Sequence, residues 1–77
     1  MKFGHRLKIL RISRNIEPIE IAERLSISES TYRRYERDES EPSLSVLYRI
    51  AAVFEIKITE LLEEDLFVTL PKISEQK

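Results

Sequence analysis

Ser30, Arg33, Arg34 and Arg37 recur at intervals of three, one and three residues. In an α-helix that spacing puts all four on one face. Three guanidiniums and a hydroxyl in one stripe present hydrogen-bond donors and positive charge, a surface suited to a helix lying in the major groove of DNA. For any single arginine a solvated helix face is the commoner explanation. The stripe taken together favours recognition.

Such a stripe needs elements to hold it. The stretch from Pro18 to Glu36, PIEIAERLSISESTYRRYE, contains two short helical patterns joined by a turn. Ile21, Leu25, Ile27, Tyr32 and Tyr35 interleave with polar residues, and Ala22 is small enough to sit where two helices cross. Pro18 suits a first helical position, where its missing N–H costs nothing. The first of these helices is predicted from Pro18 to about Arg24 or Leu25, and Ser26 and Ile27 make the turn. Ser28 is a good N-cap for a following helix that runs to about Arg37. On that helix Tyr32, Tyr35 and Glu36 face away from the arginine stripe. The pattern is a helix-turn-helix.

The flanks supply more helices. Phe3, Leu7 and Leu10, with Ile12 as a further candidate, predict a helix over Phe3–Arg14. His5, the single histidine, lies beside Gly4 near the start of the chain and is assigned no role. Asp38 to Ser43 reads as an exposed loop. Pro42-Ser43-Leu44 opens another helix with an expected buried stripe of Leu44, Leu47, Ile50, Ala51 and Phe54. A short last helix is expected over Ile58–Glu64. The following segment, DLFVTLPKISEQK, has no helical period. The expected architecture is all-α: a compact five-helix domain over residues 1–64, then a short non-helical tail over 65–77.

Charge is distributed unevenly. Residues 1–37 carry nine Lys/Arg against five Asp/Glu, or +4, and residues 38–77 carry four against nine, or −5, which together make the net −1. The basic half holds the helix-turn-helix, so the charge dipole would turn it toward a polyanion. There is no cysteine, which removes disulfides, thiolate metal sites and thiol nucleophiles and fits a reducing cytosol. No apolar run reaches the roughly 18 residues of a membrane span, and MKFGHRLK lacks a signal-peptide core. A cytoplasmic chain without membrane contact is expected. With one peripheral histidine, no glycine-rich phosphate loop and no paired carboxylates, an enzyme is not expected, nor is a cofactor or a metal.

Several segments together resemble the phage repressor and Cro type of helix-turn-helix domain, often called XRE-like. They are FGxRLKxLR, IAxxLxIS, STYxRYE, PSLxxLxxIA and ITELL, and they cover about Phe3 to Leu62. The resemblance implies a five-helix fold in which Arg11 and Glu36 form a partly buried ion pair. It further implies DNA contacts at Ser28, Glu29, Ser30, Arg33, Arg34 and Arg37, with phosphates approaching the N-terminal ends of the second and fourth helices, the latter at Ser43. Arg33 and Arg34 are then the natural base readers, because one guanidinium can bond guanine O6 and N7 together. Glu29 would repel phosphate but could accept from a cytosine amine, and Arg37 would meet the backbone.

The chain departs from that family at three places. Pro18 stands where a DNA-anchoring glutamine is usual, and Ser26 stands at a turn position that favours a glycine with φ > 0. Asp38, Glu39 and Glu41 occupy a loop that usually carries glycine and basic residues, and three carboxylates there should weaken binding and flatten its salt dependence. Two functions compete. One is a sequence-specific regulator, expected to be a repressor, that binds a near-palindromic site on double-stranded DNA as a homodimer. Its dimer surface is expected at Ile58, Leu61, Leu62, Leu66 and Phe67, and no separate sensing domain is expected in the chain. The other is an antitoxin-like or adaptor subunit that meets a protein partner through its acidic half and apolar tail.

Overall fold

The computed structural model describes residues 3–62. They form five helices: α1 (Phe3–Ser13), α2 (Pro18–Leu25), α3 (Glu29–Glu36), α4 (Leu44–Phe54) and α5 (Ile58–Leu61). No strand occurs among the described residues. Residues 63–77, which include Glu63, Glu64, Leu66 and Phe67, lie outside the described residues, and with them the end expected for the last helix and the tail.

Local chemistry starts each helix. Pro18 occupies the first turn of α2 behind an extended Glu17. Ser28 caps α3, its Oγ accepting from the Thr31 N–H at 3.1 Å, and Ser43 caps α4, its Oγ accepting from the Val46 N–H at 3.3 Å. These hydroxyls satisfy N–H groups that have no partner inside the helix. At α5, the Glu60 carboxylate accepts from the Lys57 backbone N–H at 2.9 Å.

The first four helices stop in a common way. Asn15, Ser26, Asp38 and Glu55 all adopt the left-handed region, with φ between 56° and 60°. At each, the following N–H turns back to a carbonyl in the last helical turn: Ile16 to Arg11, Ile27 to Ala22, Glu39 to Arg34 and Ile56 to Ala51. Glycine normally supplies this conformation without strain; a residue with a Cβ gives up on the order of 1 kcal/mol.

The core is continuous across all five helices. Leu7, Ile21, Ala22, Leu25, Tyr32, Tyr35, Ile50, Ala51, Phe54 and Leu61 are buried in one cluster. In that arrangement α3 packs on α1 and α2, while α4 packs on α2 and α5. Gly4 lets α1 approach α3 backbone to backbone, since a Cβ there would lie under 3.0 Å from the carbonyls of Tyr35 and Glu36.

Three expectations about apolar residues need correction. Leu44 is 65% exposed because it opens α4 at a turn that projects beyond the core, so the buried stripe is Ile50, Ala51 and Phe54 with Leu47 half-buried. Ile12 is exposed, on the side of α1 away from Leu7. Leu61, expected on a dimer surface, is wholly buried: α5 turns it into the core and leaves Leu62 at the surface, with Ile58 packed on the cluster's edge.

Candidate nucleic-acid interface

The face of α3 opposite Tyr32 and Tyr35 carries Ser30, Arg33 and Arg34, all exposed. Burial of the two tyrosines fixes the rotation of the helix, so the stripe has to point outward. Ser28 stands at its N-terminal edge. Its hydroxyl is already engaged, accepting from the Thr31 N–H and donating to Thr31 Oγ1 at 2.9 Å. Ser43 is similarly engaged with the Val46 N–H and shares a 3.2 Å bond with Ser45 Oγ. Both serines therefore serve the helix starts in the free chain.

The arginines differ in their surroundings. Arg33 donates from Nε and Nη2 to one oxygen of Glu29, at 2.9 and 2.7 Å. Arg37 donates from Nε and Nη2 to the two oxygens of Glu39, at 3.0 and 3.1 Å. That pairing raises the Arg37 pKa and lowers that of Glu39, the shared hydrogen bonds being the main cause in each case. Arg34 forms no ion pair with a carboxylate among the described residues.

The loop after α3 is less repulsive than its composition implies. Asp38 Oδ1 accepts from the Gly4 N–H at 3.0 Å, which places the carboxylate at the N-terminus of α1, where a negative charge is favoured. Glu39 is paired with Arg37. Of the three carboxylates, Glu41 is the one with no hydrogen bond or ion pair among the described residues.

Behind the exposed face lies a polar clamp. Arg11 donates from Nε to Glu36 Oε2 at 2.6 Å, from Nη2 to Oε1 at 3.2 Å, and from Nη1 to the Ile16 carbonyl at 3.0 Å. The paired side chains are only 11% and 9% exposed. The Tyr32 hydroxyl also donates to Glu36 Oε2. One arginine thus joins α1, the chain entering α2, and α3. The Glu36 bond raises the Arg11 pKa, while burial, followed by the hydrogen bond to Glu36, raises that of the Tyr32 phenol. Reading Tyr32 as core alone missed its polar end; its spacing of four from Glu36 was the available signal.

Two more arginines close helix ends. Arg6 donates to the carbonyls of Glu60 and Leu61, at 2.7 and 3.0 Å, and Arg49 donates to that of Leu25 at 3.0 Å. Neither role was legible from spacing. Among the described residues no three His, Asp or Glu side chains are grouped as a cation would require. No helix among them is long and apolar enough to cross a membrane.

Comparison with known proteins agrees with this architecture. A family model described as Helix-turn-helix (HTH_3) matches residues 7–61. The chain is 31% identical over 68 residues to the immunity repressor protein of Bacillus phage phi105, covering 88% of this chain and 47% of the relative. It is 30% identical over 70 residues to the HTH-type transcriptional activator BcrR of Enterococcus faecalis, covering 91% and 34%. A third relative is the cryptic phage CTXphi transcriptional repressor RstR of Vibrio cholerae, 26% identical over 62 residues, covering 80% and 56%. The chain therefore spans between a third and just over half the length of these relatives. Among solved structures it is similar to SinR, a master regulator for biofilm formation crystallised in complex with DNA. The TM-score is 0.72 at 27% identity, covering 79% of this chain and 98% of that one. These relatives are transcription regulators rather than enzymes, and this chain belongs to the same family, the helix-turn-helix domains of phage-repressor (XRE-like) type.

Proposed function

We propose that this chain is a sequence-specific DNA-binding transcription regulator that lays α3 in the major groove. The observation that carries the reading is the outward face of α3, where Ser30, Arg33 and Arg34 stand exposed while Tyr32 and Tyr35 anchor the opposite side. Arg33 and Arg34 read base edges, Ser30 adds a shorter polar contact, and Ser28, Arg37 and Ser43 lie toward the phosphates. The relatives named as repressors, and SinR in its DNA complex, support the same assignment.

One such module makes too small a DNA contact for high affinity, so the active species is a homodimer on a near-palindromic site. Two copies of α3 would then stand about 34–36 Å apart, one turn of B-DNA. Ile58 and Leu62 remain candidates for the dimer surface, and repression follows if the site overlaps a promoter. Selection from random duplex at low and physiological salt, followed by binding to the enriched sites, tests the proposal. A near-palindromic site with half-sites about one helical turn apart is expected. Enrichment of no sequence at either salt would refute it.

A further inference from the structure

Glu29 and Arg33 both sit on the face assigned to DNA, and the geometry of their contact says more than that assignment. Both bonds from Arg33, Nε at 2.9 Å and Nη2 at 2.7 Å, fall on the same oxygen, Glu29 Oε2. A guanidinium has five N–H donors in a rigid plane. Engaging Nε–H and one Nη2–H on one side leaves the other Nη2–H and its Nη1–H neighbour as a pair of parallel donors at the tip. That terminal pair has the spacing of guanine O6 and N7.

We infer that Glu29 is a positioning residue: it holds the Arg33 guanidinium with its terminal edge outward, so that Arg33 discriminates for guanine more sharply than Arg34 does. The inference rests on the DNA-binding reading above and deepens it. Position in the helix supports it. Glu29 is the first residue of α3, where a carboxylate is favoured by the helix dipole, and Arg33 follows at i+4 in the more favourable order for such pairs. Arg34 forms no ion pair among the described residues, and Arg37 is tied to Glu39 beyond the helix end. Arg34 therefore has to be ordered by the DNA itself, while Arg33 arrives already oriented. The carboxylate that would otherwise repel phosphate is thereby made part of base reading.

Two measurements test this. In the free protein, exchange of the Arg33 Nε–H with water, followed by NMR, should be slower than that of Arg34, and Glu29→Ala should abolish the difference. In site selection, Glu29→Ala and Arg33→Ala should flatten the preference at the same guanine, each lowering discrimination there by about tenfold while other positions keep theirs. Both side chains are substantially exposed, 35% and 50%, so both variants should fold. Three outcomes would overturn the inference. Glu29→Ala could strengthen binding to every duplex with preferences intact, making Glu29 only a repulsive charge. It could alter a cytosine position that Arg33→Ala leaves alone, making Glu29 a reader in its own right. Arg33 and Arg34 could exchange equally fast in the free protein. If the wild-type protein enriches no sequence, the DNA-binding reading fails too, and slow Arg33 exchange would then still establish the contact without the function.

Discussion

Glu36 receives hydrogen bonds from Arg11, which tie α3 to α1, and from Tyr32 one turn earlier on α3 itself. Removing one member of a nearly buried ion pair leaves the other charge without compensation. Glu36→Ala should therefore lower stability by about 3–5 kcal/mol, read as a drop in the urea midpoint without a change in slope. An unchanged midpoint would mean the pair contributes nothing. Tyr32 gives a separate signature in pH. Burial, then Glu36, holds its folded-state pKa above the ordinary value of 10.0. Below about pH 10 the phenol is neutral in both states and its contribution is fully present; above it the unfolded chain ionises first and stability falls. Tyr32→Phe should flatten that alkaline decline, checked by melting temperature against pH in both proteins.

At the scale of elements, helix ends are where this chain is least optimised. Ser26 and Glu55 hold left-handed conformations that glycine adopts without strain. Ser26→Gly and Glu55→Gly should each add about 0.5–1 kcal/mol, raising the melting temperature by roughly 2–8 °C, as calorimetry would show. Gly4 is the opposite case. The atoms a methyl group would strike are the backbone carbonyls of Tyr35 and Glu36, which cannot turn aside as a side chain would. Gly4→Ala should cost about 1–3 kcal/mol by the same assay. Much of this level was legible in the sequence. Apolar spacing placed the first four helices to within a residue or two and the start of the fifth at Ile58, and Ser28 and Ser43 announced two of the starts. What spacing did not carry was projection. Leu44 keeps the period of α4 yet lies past the edge of the core, and Leu61 keeps that of α5 yet points inward. Only packing against the other helices distinguishes such positions. The same holds for the site: period alone aligned Ser30, Arg33 and Arg34, whereas the partners of Arg33 and Arg37 depend on side-chain reach.

For the whole molecule, the acidic second half reads differently once its contacts are known. Asp38 caps α1, and Glu39 neutralises Arg37, so much of the expected repulsion near DNA is internally compensated. Glu39→Ala would release Arg37 toward a phosphate. It should tighten binding at low salt and steepen the dependence of log K on log salt by about 0.9, the increment for one further phosphate contact. An unaltered slope would place Arg37 away from the backbone. On the proposed reading, affinity from the phosphates and discrimination from the bases are separable, the first resting on the helix N-termini and gaining from Arg37 once Glu39 releases it, the second resting on Arg33 and Arg34. The most direct test of base reading by α3 compares the wild-type protein with Arg33→Ala on two duplexes, the enriched site and the same site with the contacted guanine replaced, by fluorescence anisotropy at fixed salt. If Arg33 reads a base, Arg33→Ala loses about tenfold on the enriched site and binds the two duplexes nearly alike. An equal loss on both duplexes would contradict it, because Arg33 would then be touching phosphate rather than reading a base.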